Sequence, residues 1–213
     1  MYTGIVQQTV EVTAVEDRPG LRTFSIELPA KLREDLEIGA SVGIDGVCLT
    51  VTSNEGGHAR FDTIQETQDR TTLGALSTGD RLNVERSARS GAEIGGHEIS
   101  GHVDGTVRII DVEATENNRI LTFEAPDDYM KYIFPKGFIA LNGCSLTVVD
   151  VDREAATFTV HLIPETLRVT TFGRKVVGDR VNFEIDRKTQ IIVDTVVEFM
   201  REQAREGQLA AES

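Results

Sequence analysis

The chain has no tryptophan, only two cysteines and only five prolines, and each scarcity narrows its chemistry. Cys48 and Cys144 are too few for a disulfide framework, and neither they nor the four histidines stand at a zinc-site spacing, so no metal is expected. His97 and His102 are too far apart to share a helix face, and Gly95, Gly96 and Gly101 argue against a helix there. No apolar stretch approaches the run of about 18 residues that a membrane helix needs, and no basic patch leads into an apolar run at the N-terminus. No membrane partner is therefore expected, and the expected location is the cytoplasm. Lysine is scarce too, with Lys31, Lys131, Lys136, Lys175 and Lys188 outnumbered by arginine, and the net charge is −13. That charge opposes nucleic-acid binding, which depends on basic groups neutralising phosphates. It suits a high-salt cytoplasm, in which self-repulsion is screened, and so a halophilic source is expected.

What is present is a repeat. Moving the chain by 97 positions lays Gly4-Ile5-Val6 on Gly101-His102-Val103, Ile26-Glu27-Leu28-Pro29 on Phe123-Glu124-Ala125-Pro126, and Gly46 to Val51 on Gly143 to Val148. After a two-residue insertion the shift becomes 99, and Glu66-Thr67 falls on Glu165-Thr166, Thr71 to Gly74 on Thr170 to Gly173, and Gly79-Asp80-Arg81 on Gly178-Asp179-Arg180. Each copy is a series of short segments rich in Val, Ile, Thr and Phe, such as 10–15, 23–28, 41–44 and 48–52, separated by Gly, Asp, Asn and Pro. Those are strand and turn signals. About six strands per copy imply a small closed antiparallel barrel, because closure removes exposed edges. The expected fold is all-β: one barrel over residues 1–90, a joint near 89–98, a second barrel over 98–188, a helix over 189–206 and a disordered tail over 207–213. On the helix Ile191, Ile192, Thr195, Val196, Phe199 and Met200 form one apolar stripe. Such a stripe either caps its own barrel or packs against its equals in an oligomer.

The opening Met1 to Gln7, the segment Gly95-Gly96-His97 through Ser100-Gly101-His102, the two Leu-Thr-Val motifs and His161 to Leu167 together resemble the riboflavin synthase alpha chain, over Met1 to about Val197. The resemblance implies two six-stranded Greek-key barrels, a helix that helps hold a homotrimer, and a substrate on each barrel. The working site would lie between the first barrel of one subunit and the second barrel of the next. The implied reaction moves a four-carbon unit between two molecules of 6,7-dimethyl-8-ribityllumazine, giving riboflavin and 5-amino-6-ribitylaminouracil. The C7 methyl of the lumazine is acidic because its anion spreads into the ring, so no cofactor is expected. A base, a placed nucleophile and two well-held rings suffice.

Two identical substrates must play different parts, so positions where the copies differ are informative: Ile5 against His102, Cys48 against Ser145, Ser41 against Phe138, Ser87 against Asp186, and Ile64 against His161 or a neighbour. His102 is the expected acid–base group. Ser145 and Thr147 alternate with Leu146, which puts both hydroxyls on one strand face. Ser145 would add to ring C7 or hold a water that does. Cys48 and Thr50 are the same pair in the first copy, with Cys48 either assisting as a nucleophile or filling space, and Cys144 reads as core. The resemblance places a ligand- or base-orienting carboxylate at Asp186 and, at Lys136, a contact across the subunit boundary. The segments expected to line the two pockets are Gly4, Ile5 and Val6; Ser41; Cys48, Leu49 and Thr50; Asp62, Thr63, Ile64, Gln65, Glu66 and Thr67; Gly101 and Val103; Ser145, Leu146 and Thr147; and Val160, His161, Leu162, Ile163, Pro164, Glu165 and Thr166. Tyr2 departs from the phenylalanine usual in the family, and Cys144 from an aliphatic residue. The rival readings are a lumazine or flavin carrier of the same fold without turnover, and a barrel that binds only protein.

Overall fold

In the computed structural model the backbone is described over residues 1–211 and side chains over 1–206. The first repeat contains β1 (Gln8–Arg18), β2 (Leu21–Glu27), a short helix α1 (Ala30–Arg33), β3 (Ser41–Ile44), β4 (Val47–Glu55), β5 (His58–Ile64), α2 (Gln65–Arg70) and β6 (Arg81–Arg86). The second contains β7 (Gly105–Ala114), β8 (Arg119–Glu124), β9 (Phe138–Leu141), β10 (Cys144–Asp152), β11 (Thr157–Leu162), α3 (Pro164–Val169) and β12 (Arg180–Ile185). Each set closes into an antiparallel barrel, in the order β1-β2-β5-β4-β3-β6 and its counterpart β7-β8-β11-β10-β9-β12. The expected all-β duplication is therefore the observed fold.

Alternation builds each core. In β4, Val47, Leu49 and Val51 point inward while Thr50 and Thr52 are exposed; in β10 the inward set is Cys144, Leu146 and Val148. The register slips between Val12 and Ala14 and between Val51 and Ser53, and again at the matching positions Ile109/Asp111 and Val148/Val151. Such bulges bend strands, and here the same two bends close both barrels.

The two-residue insertion lies in the turn between the fourth and fifth strands. In the first copy that turn is Gly56-Gly57, both at positive φ, a conformation glycine adopts without steric cost. In the second it is Arg153 to Ala156. The equivalences downstream follow: Arg22 pairs with Thr63 and Arg119 with Leu162, so His161 corresponds to Asp62, and Ile64 to Ile163.

The barrels meet along a seam of near two-fold symmetry. Tyr2 and Ile99, at equivalent positions, exchange backbone hydrogen bonds of 2.8 and 3.0 Å. Asn83 Nδ2 donates to the Asn142 carbonyl and Asn182 Nδ2 to the Asp45 carbonyl, each at 2.9 Å. At the centre the chains of Gly46 and Gly143 touch, leaving no room for a Cβ.

Helix α4 spans Arg187–Ala211. Asp186 caps its start, accepting from Thr189 N and Thr189 Oγ1. Val193 packs on the second barrel's core, and Asp194 accepts from Lys131 Nζ and Tyr132 Oη. The apolar stripe faces away: Ile191, Ile192, Val196, Phe199 and Met200 are each more than half exposed. The tail foreseen as disordered falls on 207–213, of which 212 and 213 lie outside the described residues. No described helix is long and apolar enough to cross a membrane.

Candidate functional site

The chain lays the opening segment of each repeat across the other repeat's barrel. Ser145 N donates to the Gly4 carbonyl at 2.8 Å, and Cys48 N to the Gly101 carbonyl at 2.9 Å. Val6 accordingly sits in the core of the second barrel, and Val103 packs on the core of the first. This crossing sorts the expected residues into two groups. Gly101, His102 and Val103 join Cys48, Leu49, Thr50 and the 62–67 segment; Gly4, Ile5 and Val6 join Ser145, Leu146, Thr147 and the 160–166 segment.

The crossed segments are held by two residues that the sequence reading passed over. Glu85 accepts from Thr3 N (2.6 Å), Thr3 Oγ1 (2.8 Å) and Gly4 N (3.1 Å). Glu184, its counterpart, accepts from Ser100 N (2.8 Å), Ser100 Oγ (2.7 Å) and Gly101 N (2.9 Å). Burial raises both carboxyl pKa values, and these hydrogen bonds work against that rise. The signal was available, since the 99-residue shift aligns Glu85 with Glu184.

Around Ser145 the structure assembles a polar group. His97 Nδ1 lies 2.6 Å from Ser145 Oγ, and its ring stacks on Phe138 at 5.2 Å. Phe138 is paired across the ladder with Thr147. Burial pushes the His97 pKa below the ordinary histidine value, with Lys188 adding to the effect and Asp186 opposing it. A neutral imidazole beside a hydroxyl is a base–nucleophile pair. Gly96 permits the approach, because a Cβ there would stand 2.6 Å from the Ser145 Cβ. A cleft of about 490 Å³ opens beside it, lined by His97, Phe138, Asp186 and Lys188 among others. Asp186 thus both caps α4 and borders the cleft. In the sequence His97 stands out as part of the Gly95-Gly96-His97 motif and not as a site residue; with no counterpart in the first repeat, it left no trace in the alignment of copies.

Cys48 has a different neighbour: Tyr2 Oη donates to its Sγ at 3.1 Å. His102 is exposed, its carbonyl accepting from Arg187 Nη2 and its backbone N–H donating to Ser100 Oγ. Thr50 and Asp62 are exposed on the same barrel face, with Asp62 accepting from Thr23 Oγ1 at 2.6 Å. Ser41 is partly exposed and pairs with Thr50. The matched Ile64 and Ile163 are 57% and 60% exposed, leaving an apolar edge at the same place on each barrel. Lys136 is exposed in a turn at φ +65°. Cys144 is buried, and burial drives its thiol pKa up to about 12, which leaves it as core filling. Among the described residues no three His, Cys, Asp or Glu side chains converge as metal ligands would.

The family model of the lumazine binding domain matches twice, over residues 3–87 and 100–186. The chain is 49% identical over 197 residues to the riboflavin synthase of Escherichia coli (strain K12), covering 92% of each chain. It is 44% identical over 196 residues to that of Chlamydia pneumoniae, covering 92% of this chain and 95% of the relative. In fold it matches the crystal structure of LumP complexed with riboflavin, with a TM-score of 0.80, 23% identity, and coverage of 87% of this chain and 100% of the other.

Proposed function

The chain belongs to the lumazine-binding family that includes the riboflavin synthases, and from that premise we propose how its residues turn two molecules of 6,7-dimethyl-8-ribityllumazine into riboflavin and 5-amino-6-ribitylaminouracil. The observation that carries the reading is the contact between His97 and Ser145 in the second repeat, where the first has Tyr2 and Cys48. Two identical substrates then meet unlike surroundings.

One lumazine lies against Ser145, Thr147 and the 160–166 segment, the other against Cys48, Thr50 and the 62–67 segment. On the second barrel Ser145, with His97 to take its proton, adds to ring C7 or holds a water that does. His102 moves a proton on the first-barrel side, drawing it from an acidic C7 methyl and delivering it to a nitrogen of the diaminouracil as the four-carbon unit leaves that ring. Asp186 orients the ribityl chain or a base at the cleft, and backbone groups at strand edges bind the pyrimidinedione. The negative charge formed on the methyl is spread by the substrate's own ring, so the protein's task is placement and proton movement.

Assembly completes the grooves. We place the apolar stripe of α4 at the axis of a homotrimer, which brings the first barrel of one subunit to the second barrel of the next, with Lys136 reaching across. The stripe is exposed in the single chain, and covering it in water is favourable at about 25 cal/mol per Å² of apolar surface. The acidic surface suits a cytoplasm of high salt.

The test is purified protein with the lumazine alone at neutral pH and high salt, followed by absorbance. One riboflavin per two lumazines consumed, with the rate collapsing in Ser145→Ala and His102→Ala, is the expected result. Tight lumazine binding with no product would replace this reading with that of a carrier.

A further inference from the structure

The Cys48 thiol receives one side-chain hydrogen bond among the described residues, and it comes from Tyr2, a residue of the seam between the barrels. Tyr2 is 97% buried, since only 3% of its surface is exposed. Its backbone is fixed by the paired hydrogen bonds to Ile99. Its ring is clamped by two glycines: a Cβ on Gly43 would stand 3.1 Å from Cε1, and one on Gly101 would stand 2.8 Å from Cε2. Burial, first of all, and the contact with Cys48 push the phenol pKa far up, so the hydroxyl keeps its proton and remains a donor throughout the working pH range.

A donor arriving at sulfur has a geometric consequence. With a lone pair of Sγ occupied by the Tyr2 hydroxyl, the thiol's own hydrogen must turn elsewhere. Cys48 is half-buried, packed on one side against Tyr2 and Ile99 at the seam, and by strand alternation it shares the outward face of β4 with the exposed Thr50, beside Asp62 on β5. The equivalent of Tyr2 in the other repeat is Ile99, which has no hydroxyl, and the equivalent of Cys48 is Ser145, which has His97 instead.

We propose that Tyr2 is a positioning residue for Cys48: its hydroxyl fixes the thiol so that the S–H points into the first-barrel groove as a donor to a carbonyl or ring nitrogen of the bound lumazine or flavin. The device acts only in that groove. It deepens the functional reading above, and rests on it only in naming the ligand. The thiol is a weak donor by itself, and a fixed direction is what makes it useful for reading a heteroatom on a flat ring.

The test is a double-mutant cycle of Tyr2→Phe and Cys48→Ala on the full chain, with riboflavin binding at two classes of site resolved by titration calorimetry. Tyr2→Phe is expected to weaken one class roughly tenfold, the scale of one well-made hydrogen bond, and to leave the other unchanged. In the Cys48→Ala background the same change is expected to cost nothing further. An equal loss in both backgrounds, or no loss in either, would overturn the proposal, because packing by the ring does not depend on sulfur. The S–H stretching band of Cys48, read by infrared in a Cys144→Ala background without ligand, must also move in Tyr2→Phe; an unmoved band would sink the idea whatever the binding data. Neither readout needs turnover. A chain that made no riboflavin would remove the enzymatic reading and leave this one to be judged separately.

Discussion

Asp45 and Asn142 occupy equivalent positions on the seam, one an acid and the other an amide, and each accepts a backbone hydrogen bond from the asparagine of its own repeat, Asn83 at 2.7 Å and Asn182 at 2.8 Å. Burial raises the Asp45 pKa from 3.8 to about 7. The folded state therefore keeps this proton longer than the unfolded chain. Stability from this group is whole below about pH 4 and declines as pH climbs to about 7. Asp45→Asn, which copies the other repeat, is expected to match wild type at pH 4 and exceed it at pH 8 by up to about 4 kcal/mol. Urea denaturation at the two pH values checks it; an equal offset at both would assign the change to packing.

His97 and Ser145 are expected to act as a unit. Each of His97→Ala and Ser145→Ala should lower kcat by roughly 10²–10⁴-fold, and the double variant should be no worse than the more damaged single one. Additive losses in steady-state kinetics would separate their roles.

Glu184→Gln keeps the shape of the side chain but places an NH₂ group against a backbone donor, since Ser100 N donates to Oε1 and Gly101 N to Oε2. The expected cost is about 1–3 kcal/mol in stability, with kcat/KM falling beyond what the lost folded fraction explains, because His102 is held by this segment. Thermal melting and kinetics at a temperature well below the transition distinguish the two effects.

Gly46→Ala should be far more damaging than Gly20→Ala. Both positions have positive φ, but a Cβ at Gly46 would stand 2.7 Å from Gly143 N, while at Gly20 nothing lies within 4 Å. Strain of about 1–2 kcal/mol is common to both, and only Gly46 adds overpacking of about 1–3 kcal/mol. Denaturant midpoints for the two variants settle the comparison.

Val196→Asp with Phe199→Asp places two charges on the exposed stripe of α4. Sedimentation equilibrium is expected to show a trimer in wild type and a monomer in the double variant, with the latter's activity lost and its barrels still folded by circular dichroism. A trimer in both would move the assembly contact elsewhere.

The duplicated barrels were legible because strand alternation and turn residues are local signals, and two copies of them report each other. The position of the insertion was not: only the ladder between β2 and β5, and its counterpart, matched His161 to Asp62. Cys48, Ser145 and His102 stood out because the copies differ there. His97 did not, since it has no counterpart in the first repeat, and its value comes from a contact with Ser145, 48 residues away.

Two barrels with polar, unequal residues on matching strands, and one helix with an apolar face, follow from the order of residues alone. Period-two patterning and glycine turns leave few other ways to bury 213 residues of this kind. Which residues come together is a property of the folded chain, because the opening segment of each repeat crosses to the other barrel. That crossing is fixed by buried hydrogen bonds that Glu85 and Glu184 accept and that Asn83 and Asn182 donate, between residues distant in the chain, and no local pattern encodes a partner that far away.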